Sequence, residues 1–188
     1  MSVDLSTYSA ARFDRGASKL RETMWLLVSL LLFRLCPFSL SGLKRTVLRA
    51  FGAKIGRGVV IKPQVKITFP WKLEVGDFVW LGEECWLLNL DRIIIGSNVC
   101  ISQRAFLCTG NHNYRLQTFD LIVKPITIED GAWLGAGCWV GPGAKIGSHS
   151  VLTAGSVMAG DMEPWGIYQG NPAVFLKQRT LETPKNMA

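Results

Sequence analysis

The chain has 188 residues, 48% of them hydrophobic, with 21 Lys/Arg against 14 Asp/Glu and five cysteines. This suits one domain with appendages and supplies enough apolar material for a core. Nine basic and three acidic residues fall in residues 1–54, against twelve and eleven beyond, so the nearly neutral body argues against a nucleic-acid groove, and the cysteines show no CxxC pair or Cys/His ligand spacing and demand no oxidising compartment.

Residues 1–16 are polar, include Asp4 and Asp14 and lack an apolar run. They are expected to extend along a surface, and they do not resemble a secretory leader, so a cytoplasmic protein is expected. From Ala17 the pattern turns helical, and MWLLVSLLLF at residues 24–33 is apolar on every side, stopped by Cys36-Pro37. Ten helical residues cover about 15 Å, too little for a bilayer core of roughly 30 Å. Two readings stay open. The helix is buried against the rest of the chain or a neighbouring subunit. Alternatively it lies monotopically in the cytoplasmic leaflet, with Arg12, Arg15, Lys19, Arg21, Lys44, Arg45 and Arg49 facing anionic lipid, which would make the protein peripheral to the inner face of the cell membrane. A second helix over residues 41–51, before Gly52, is expected to cap whatever follows.

From Ile55 to Met162 the chain keeps a period of six. Aliphatic residues recur at Ile55, Ile61 and Ile67; Val75, Leu81 and Leu87; Ile95, Ile101 and Leu107; Ile128, Leu134 and Val140; and Ile146, Leu152 and Met158. Four places after most of them stands a small residue or Val, and directly after many stands Gly, as at Gly56, Gly82 and Gly135. Helices repeat every three or four residues and strands every two, so neither explains this beat. Short strands joined by tight corners do: three hexads close a triangular coil, and the five groups predict an all-β parallel solenoid of about five coils. Gly is expected where the backbone turns or approaches closely. Two extra residues separate each of the first three coils, and about fifteen precede Ile128. The division is therefore an arm with helices at 1–54, a β-helix at 55–163 with an inserted loop at 109–127, and a cap and tail at 164–188.

Residues just before an inward aliphatic face outward. Trp80, Trp86, Trp133 and Trp139 stand there, an apolar surface that implies cover by other subunits or by the N-terminal helix. Cys85 and Cys138 occupy small inward positions and read as core. The insertion follows CTGNHNY, with His112 at its base and Asn111, Asn113, Tyr114 and Asp120 near it. A loop leaving a rigid coil is where a solenoid carries chemistry. His149, at an ordinary corner, reads as structural. After the last hexad, GNPA at residues 170–173 marks turns, and Lys177 and Arg179 read either as solvated charges of a cap or as partners of a phosphate-bearing ligand.

The hexads, the His112 insertion and the terminal GNPA resemble the left-handed β-helix, hexapeptide-repeat acyltransferases. FGAKIGRGVVIKPQVKITFPWKLEVGD and CTGNHNY look most similar to the colanic-acid-type, exopolysaccharide biosynthesis O-acetyltransferases. The left hand rests on this resemblance alone, since parallel crossovers generally take the right hand. It implies a homotrimer with active sites between adjacent prisms, acetyl-CoA as co-substrate, no metal, and a sugar or lipid-linked glycan acceptor. By similarity His112 matches the general base, a role imidazole fills at neutral pH. Asn89 matches an acceptor-binding asparagine in some relatives, and Asn111, Asn113 and Tyr114 fall beside the acceptor. The turn 133–136 matches the place where a backbone N–H meets the oxyanion. Trp133, Gly135, Ala136, Thr153 and Ala154 would line the pantetheine channel, with Lys177 near the nucleotide phosphates. Val174 stands where several relatives carry a basic residue.

Two other functions compete. A metalloenzyme on the same scaffold, of the β-helix carbonic anhydrase type, needs three histidines at its zinc, and the chain has two. A non-catalytic solenoid would use its N-terminal arm to dock on a membrane or a glycosyltransferase.

Overall fold

The computed structural model describes residues 2–9 and 13–182; Arg12 and the last six residues of the tail lie outside them. The hexads become strands of two or three residues that pair in parallel with the strands one coil above and below. One sheet stacks Lys54–Ile55, Leu73–Val75, Ile93–Ile95, Ile126–Ile128 and Lys145–Ile146. A second runs Val60–Ile61, Trp80–Leu81, Cys100–Ile101, Trp133–Leu134 and Val151–Leu152, and continues into the hairpin Gly166–Gly170 and Ala173–Gln178. The third stacks Lys66–Ile67, Trp86–Leu88, Phe106–Cys108, Trp139–Val140 and Val157–Met158. Five full coils result, and a bridge from Ile146 to Met162 opens a further turn. The whole is the expected left-handed parallel solenoid, about six turns long.

Every inward aliphatic of the hexads is buried, as are the small residues four places on. Burial pushes the thiols of Cys85 and Cys138 up to about 12, which makes them inert core groups. The extra residues between early coils lengthen the first sheet's strands, so that Leu73, Ile93 and Ile126 also point into the core.

The corners divide two tasks that the sequence pattern gave to one glycine. The left-handed backbone lies three residues before most inward aliphatics, at Gly58, Gly131 and Gly137 but also at Gln64, Glu84, Asn98 and Arg104. The glycine after the aliphatic serves close approach instead. A Cβ on Gly82 would lie 2.6 Å from the Ser102 carbonyl carbon and 2.9 Å from the Ile101 oxygen in the next coil.

Helices α1 (Lys19–Ser29) and α2 (Ser41–Ala50) close the N-terminal end, joined by a π-helical turn at Leu30–Leu35. The first coil's open edge exposes backbone groups that no strand can pair, and a buried unpaired group is costly. Side chains meet them. Arg49 donates to the Ile55 and Gly56 carbonyls, Arg45 to Val59, Lys44 to Lys62 and Trp25 to Ile67, while Ser41 Oγ accepts from Ile61 N–H. Three of the cations assigned by sequence to lipid therefore serve the cap. Lys44 is fully buried, and burial pulls its pKa down. At the far end Arg179 donates to the carbonyls of Gly131 and His149, so it closes the solenoid instead of facing solvent or a phosphate.

The arm does run along the surface, and it reaches the insertion: Asp4 N–H bonds to Gln117 O, and Tyr8 lies beside His112. Farther on, Trp71 Nε1 donates to Arg15 O and Lys72 Nζ to Asp14 O.

Candidate active site

The insertion leaves the third coil as an antiparallel pair, Gly110–His112 against Leu121–Val123, with His112 opposite Leu121. The turn between them sets the imidazole. Its ring stacks on Phe119, with centroids 4.4 Å apart and planes 9° from parallel, and Tyr8 approaches to 5.9 Å. His112 Nδ1 lies 2.8 Å from the Phe119 carbonyl oxygen. A carbonyl only accepts, so Nδ1 carries the proton and the neutral ring keeps its lone pair on Nε2. The ring is thus held in position and in tautomer by one residue seven places on.

The neighbouring polar residues shape this hairpin. Asn111 Oδ1 accepts from His112 N–H and Asn113 Oδ1 from Arg115 N–H, and their amide N–H groups have no acceptor among the described residues. Tyr114 is exposed, with the Arg115 guanidinium over its ring.

Asn89 needs correction. It is fully buried; its Oδ1 accepts from the N–H groups of Thr68 and Phe69, and its Nδ2 donates to Phe69 O at 2.6 Å. It holds the corner of the coil above, and its burial keeps it out of an acceptor's reach.

A cleft of about 1010 Å³ opens between the arm, the first coils and the outer strand of the insertion. Its walls include Phe13, Asp14, Trp71, Asp91, Arg92 and Asp120. Lys72 bridges it, donating to Asp14 O and Leu90 O; burial lowers its pKa, opposed by the charges of Asp14 and Asp91. His112 does not line the cleft, but its strand partner Leu121 does. Only Asp120 among these was singled out from sequence. The rest come from segments more than 20 residues away in the chain, which no local spacing connects.

The second set of residues gathers on the other part of the solenoid. Gly135 and Ala136 form the corner directly above Thr153 and Ala154, with Gly135 N–H on Leu152 O and Gly155 N–H on Ala136 O. Ala136 N–H has no acceptor among the described residues. Trp133 stands half exposed, its indole N–H on Ser102 Oγ. Trp133, Val151, Ile167 and Lys177 pair in register across the second sheet. Residues in register share a face, so Lys177 ends a row that begins at Trp133, about 14 Å away at three strand spacings. Val174 is exposed on the same hairpin.

His149 stacks on Trp165 at a corner, and among the described residues no three His, Cys, Asp or Glu side chains cluster as metal ligands. Cys108 is buried, its Sγ 3.2 Å from Gly110 O.

No protein-family model matches the chain. It is 39% identical over 176 residues to the Escherichia coli K12 protein named as a colanic acid biosynthesis acetyltransferase, WcaF, spanning 94% of this chain and 97% of that one. The galactoside O-acetyltransferase of the same organism is 24% identical over 138 residues, 72% of this chain and 68% of that protein. Among solved structures, a hexapeptide-repeat-containing acetyltransferase of Vibrio cholerae complexed with acetyl coenzyme A superposes with a TM-score of 0.77 at 26% identity, covering 92% of this chain and 96% of that one.

Proposed function

The chain belongs to the hexapeptide-repeat acetyltransferases, in company with the colanic-acid type, and from that premise we propose that it moves acetyl from acetyl-CoA to a sugar hydroxyl in exopolysaccharide or other surface-glycan biosynthesis. The observation that carries the reading is the Nδ1 bond of His112 to Phe119 O, which frees Nε2 to act as a base. Nε2 takes the hydroxyl proton as the sugar oxygen attacks the thioester carbonyl. The tetrahedral oxyanion is met by a backbone N–H, and Ala136 offers one without an acceptor among the described residues. Collapse breaks the C–S bond, and the imidazolium returns the proton to the CoA sulfur. No covalent enzyme intermediate is needed.

Trp133, Gly135, Ala136, Thr153 and Ala154 supply a continuous corner for pantetheine, and Lys177 the cation at its nucleotide end. The cleft beside the insertion supplies the acceptor site in this reading: Trp71 and Phe13 give ring faces to a sugar, and Asp14, Asp91 and Asp120 accept from its hydroxyls. A homotrimer would bring the corner of one subunit against the insertion of the next. Asn111, Asn113 and Tyr114 would then contact the acceptor from the insertion.

Calorimetry with acetyl-CoA, and thiol release with a panel of sugar acceptors, test the reading. His112→Ala is expected to lower turnover at least about a hundredfold while acetyl-CoA affinity stays within about twofold. Near-normal turnover would remove His112 from the chemistry. No acetyl-CoA binding by the folded protein would turn the function to a non-catalytic scaffold.

A further inference from the structure

Helix α1 and its π-helical extension are fixed to the first coil on one side only. Trp25 and Phe33 are buried there, with Val28 and Leu32 packed beside them. On another face Leu20, Met24, Leu27 and Leu31 follow a spacing of four, three and four, which aligns them in one stripe. Each is more than half exposed. The apolar surface continues past the helix through Leu35, Phe38, Leu40 and Leu43, all exposed.

The stretch of sequence that builds this surface is basic. Between Glu22 and Glu74 the sequence holds nine Lys or Arg and no Asp or Glu. Lys44, Arg45, Arg49 and Lys72 are turned to backbone carbonyls, and Lys54 and Arg57 pair with Glu74 and Asp77. Arg34, Lys62 and Lys66 form no ion pair among the described residues, although Lys66 lies over the Trp86 ring and near enough to Glu84 to help lower its pKa.

We propose that this end of the molecule docks on an anionic lipid bilayer, the leucine stripe and Phe38 entering the headgroup–acyl boundary and Arg34, Lys62 and Lys66 meeting the headgroups. A monotopic helix needs this combination of a broad apolar face and unpaired cations. No helix among the described residues is long and apolar enough to cross a membrane, so the contact is one of surface docking. A second copy of the chain fits less well. A helix seam would cover the stripe but leave Leu35, Phe38, Leu40 and Leu43 bare, and would bring two basic ends together. The proposal stands apart from the acetyl-transfer reading and would place that chemistry beside a lipid-linked acceptor.

Flotation of the full-length protein with vesicles tests it, using phosphatidylcholine alone and phosphatidylcholine with about one-third phosphatidylglycerol. The wild type is expected to float with the anionic vesicles, and less as salt rises. Leu27→Asp/Leu31→Asp, at exposed positions, should cut the bound fraction at least about tenfold with unchanged circular dichroism and acetyl-CoA affinity. Arg34→Glu/Lys66→Glu should lose the preference for anionic vesicles. A wild type that floats with neither vesicle overturns the proposal. So does binding that survives the leucine changes. A leucine variant of lower native mass, beside a wild type that does not float, would give the stripe to a second copy.

Discussion

At the residue scale, two side chains two positions apart in the second coil separate structure from chemistry. Asn89 is buried and serves three backbone groups of Thr68 and Phe69. Asn89→Ala leaves Phe69 N–H without a partner, while Thr68 N–H keeps Leu87 O and Phe69 O keeps Lys72 N–H; the cost is about 2 kcal/mol, which for a chain of this size lowers Tm by about 4–8 °C. The acceptor KM at 25 °C should not move. Asp91, on the cleft wall and half exposed, accepts from Arg92 N–H through an oxygen that Asn would retain. Asp91→Asn should therefore keep Tm and raise the acceptor KM severalfold, with acetyl-CoA affinity unchanged. Melting curves and steady-state kinetics on both variants check the pair, and an inverted result would return Asn89 to the acceptor and remove Asp91. Asn89 shows where sequence reading of a site stops. Resemblance offered it to the acceptor, but whether its amide points to solvent or under the corner of the coil above depends on Thr68 and Phe69, 21 and 20 residues earlier in the chain.

At the element scale the solenoid was legible because its period is enforced at every coil. Each inward position sees the same triangular interior, so each repeats the same residue type, and all of them are buried. The insertion was legible as a break in that beat. The arm was not: Tyr8 meets His112, and Asp14 meets Lys72, through contacts that have no period. The cap was legible as a helix, but its cations were misread. Arg45 and Arg49 look like a basic surface in sequence, whereas the open coil beneath them exposes carbonyls with no strand to pair. Arg49→Ala should remove the partner of Ile55 O and Gly56 O, and lower stability by about 1–2 kcal/mol because the donor is charged. The check is urea unfolding: a lower midpoint with the same m-value. An unchanged midpoint would mean that water replaces the guanidinium without loss, and that the cap acts through Trp25, Phe33 and Leu48 alone.

At the scale of the whole molecule, the core lies inside the triangle, yet the outer face of the second sheet keeps Trp80 and Trp133 at 59% and 47% exposure. Covering a large aromatic side chain is worth about 2–3 kcal/mol, so such a face favours association. The proposed mechanism invokes association too, because in it the corner at Ala136 of one subunit faces the insertion at His112 of the next. Trp80 itself belongs to neither set, which makes it the place to probe assembly without touching the chemistry. In sedimentation the wild type is expected to behave as a particle of three 20.8 kDa chains. Trp80→Glu puts a carboxylate on the face that association would bury, where an uncompensated charge costs several kcal/mol. It should dissociate the particle to folded monomers with unchanged circular dichroism, and turnover should fall in step with the trimer fraction. A variant that keeps both mass and turnover would show that this face stays in solvent. A variant that dissociates but keeps full turnover would place the whole site within one chain, and the acetyl group would then have to reach His112 without crossing between subunits.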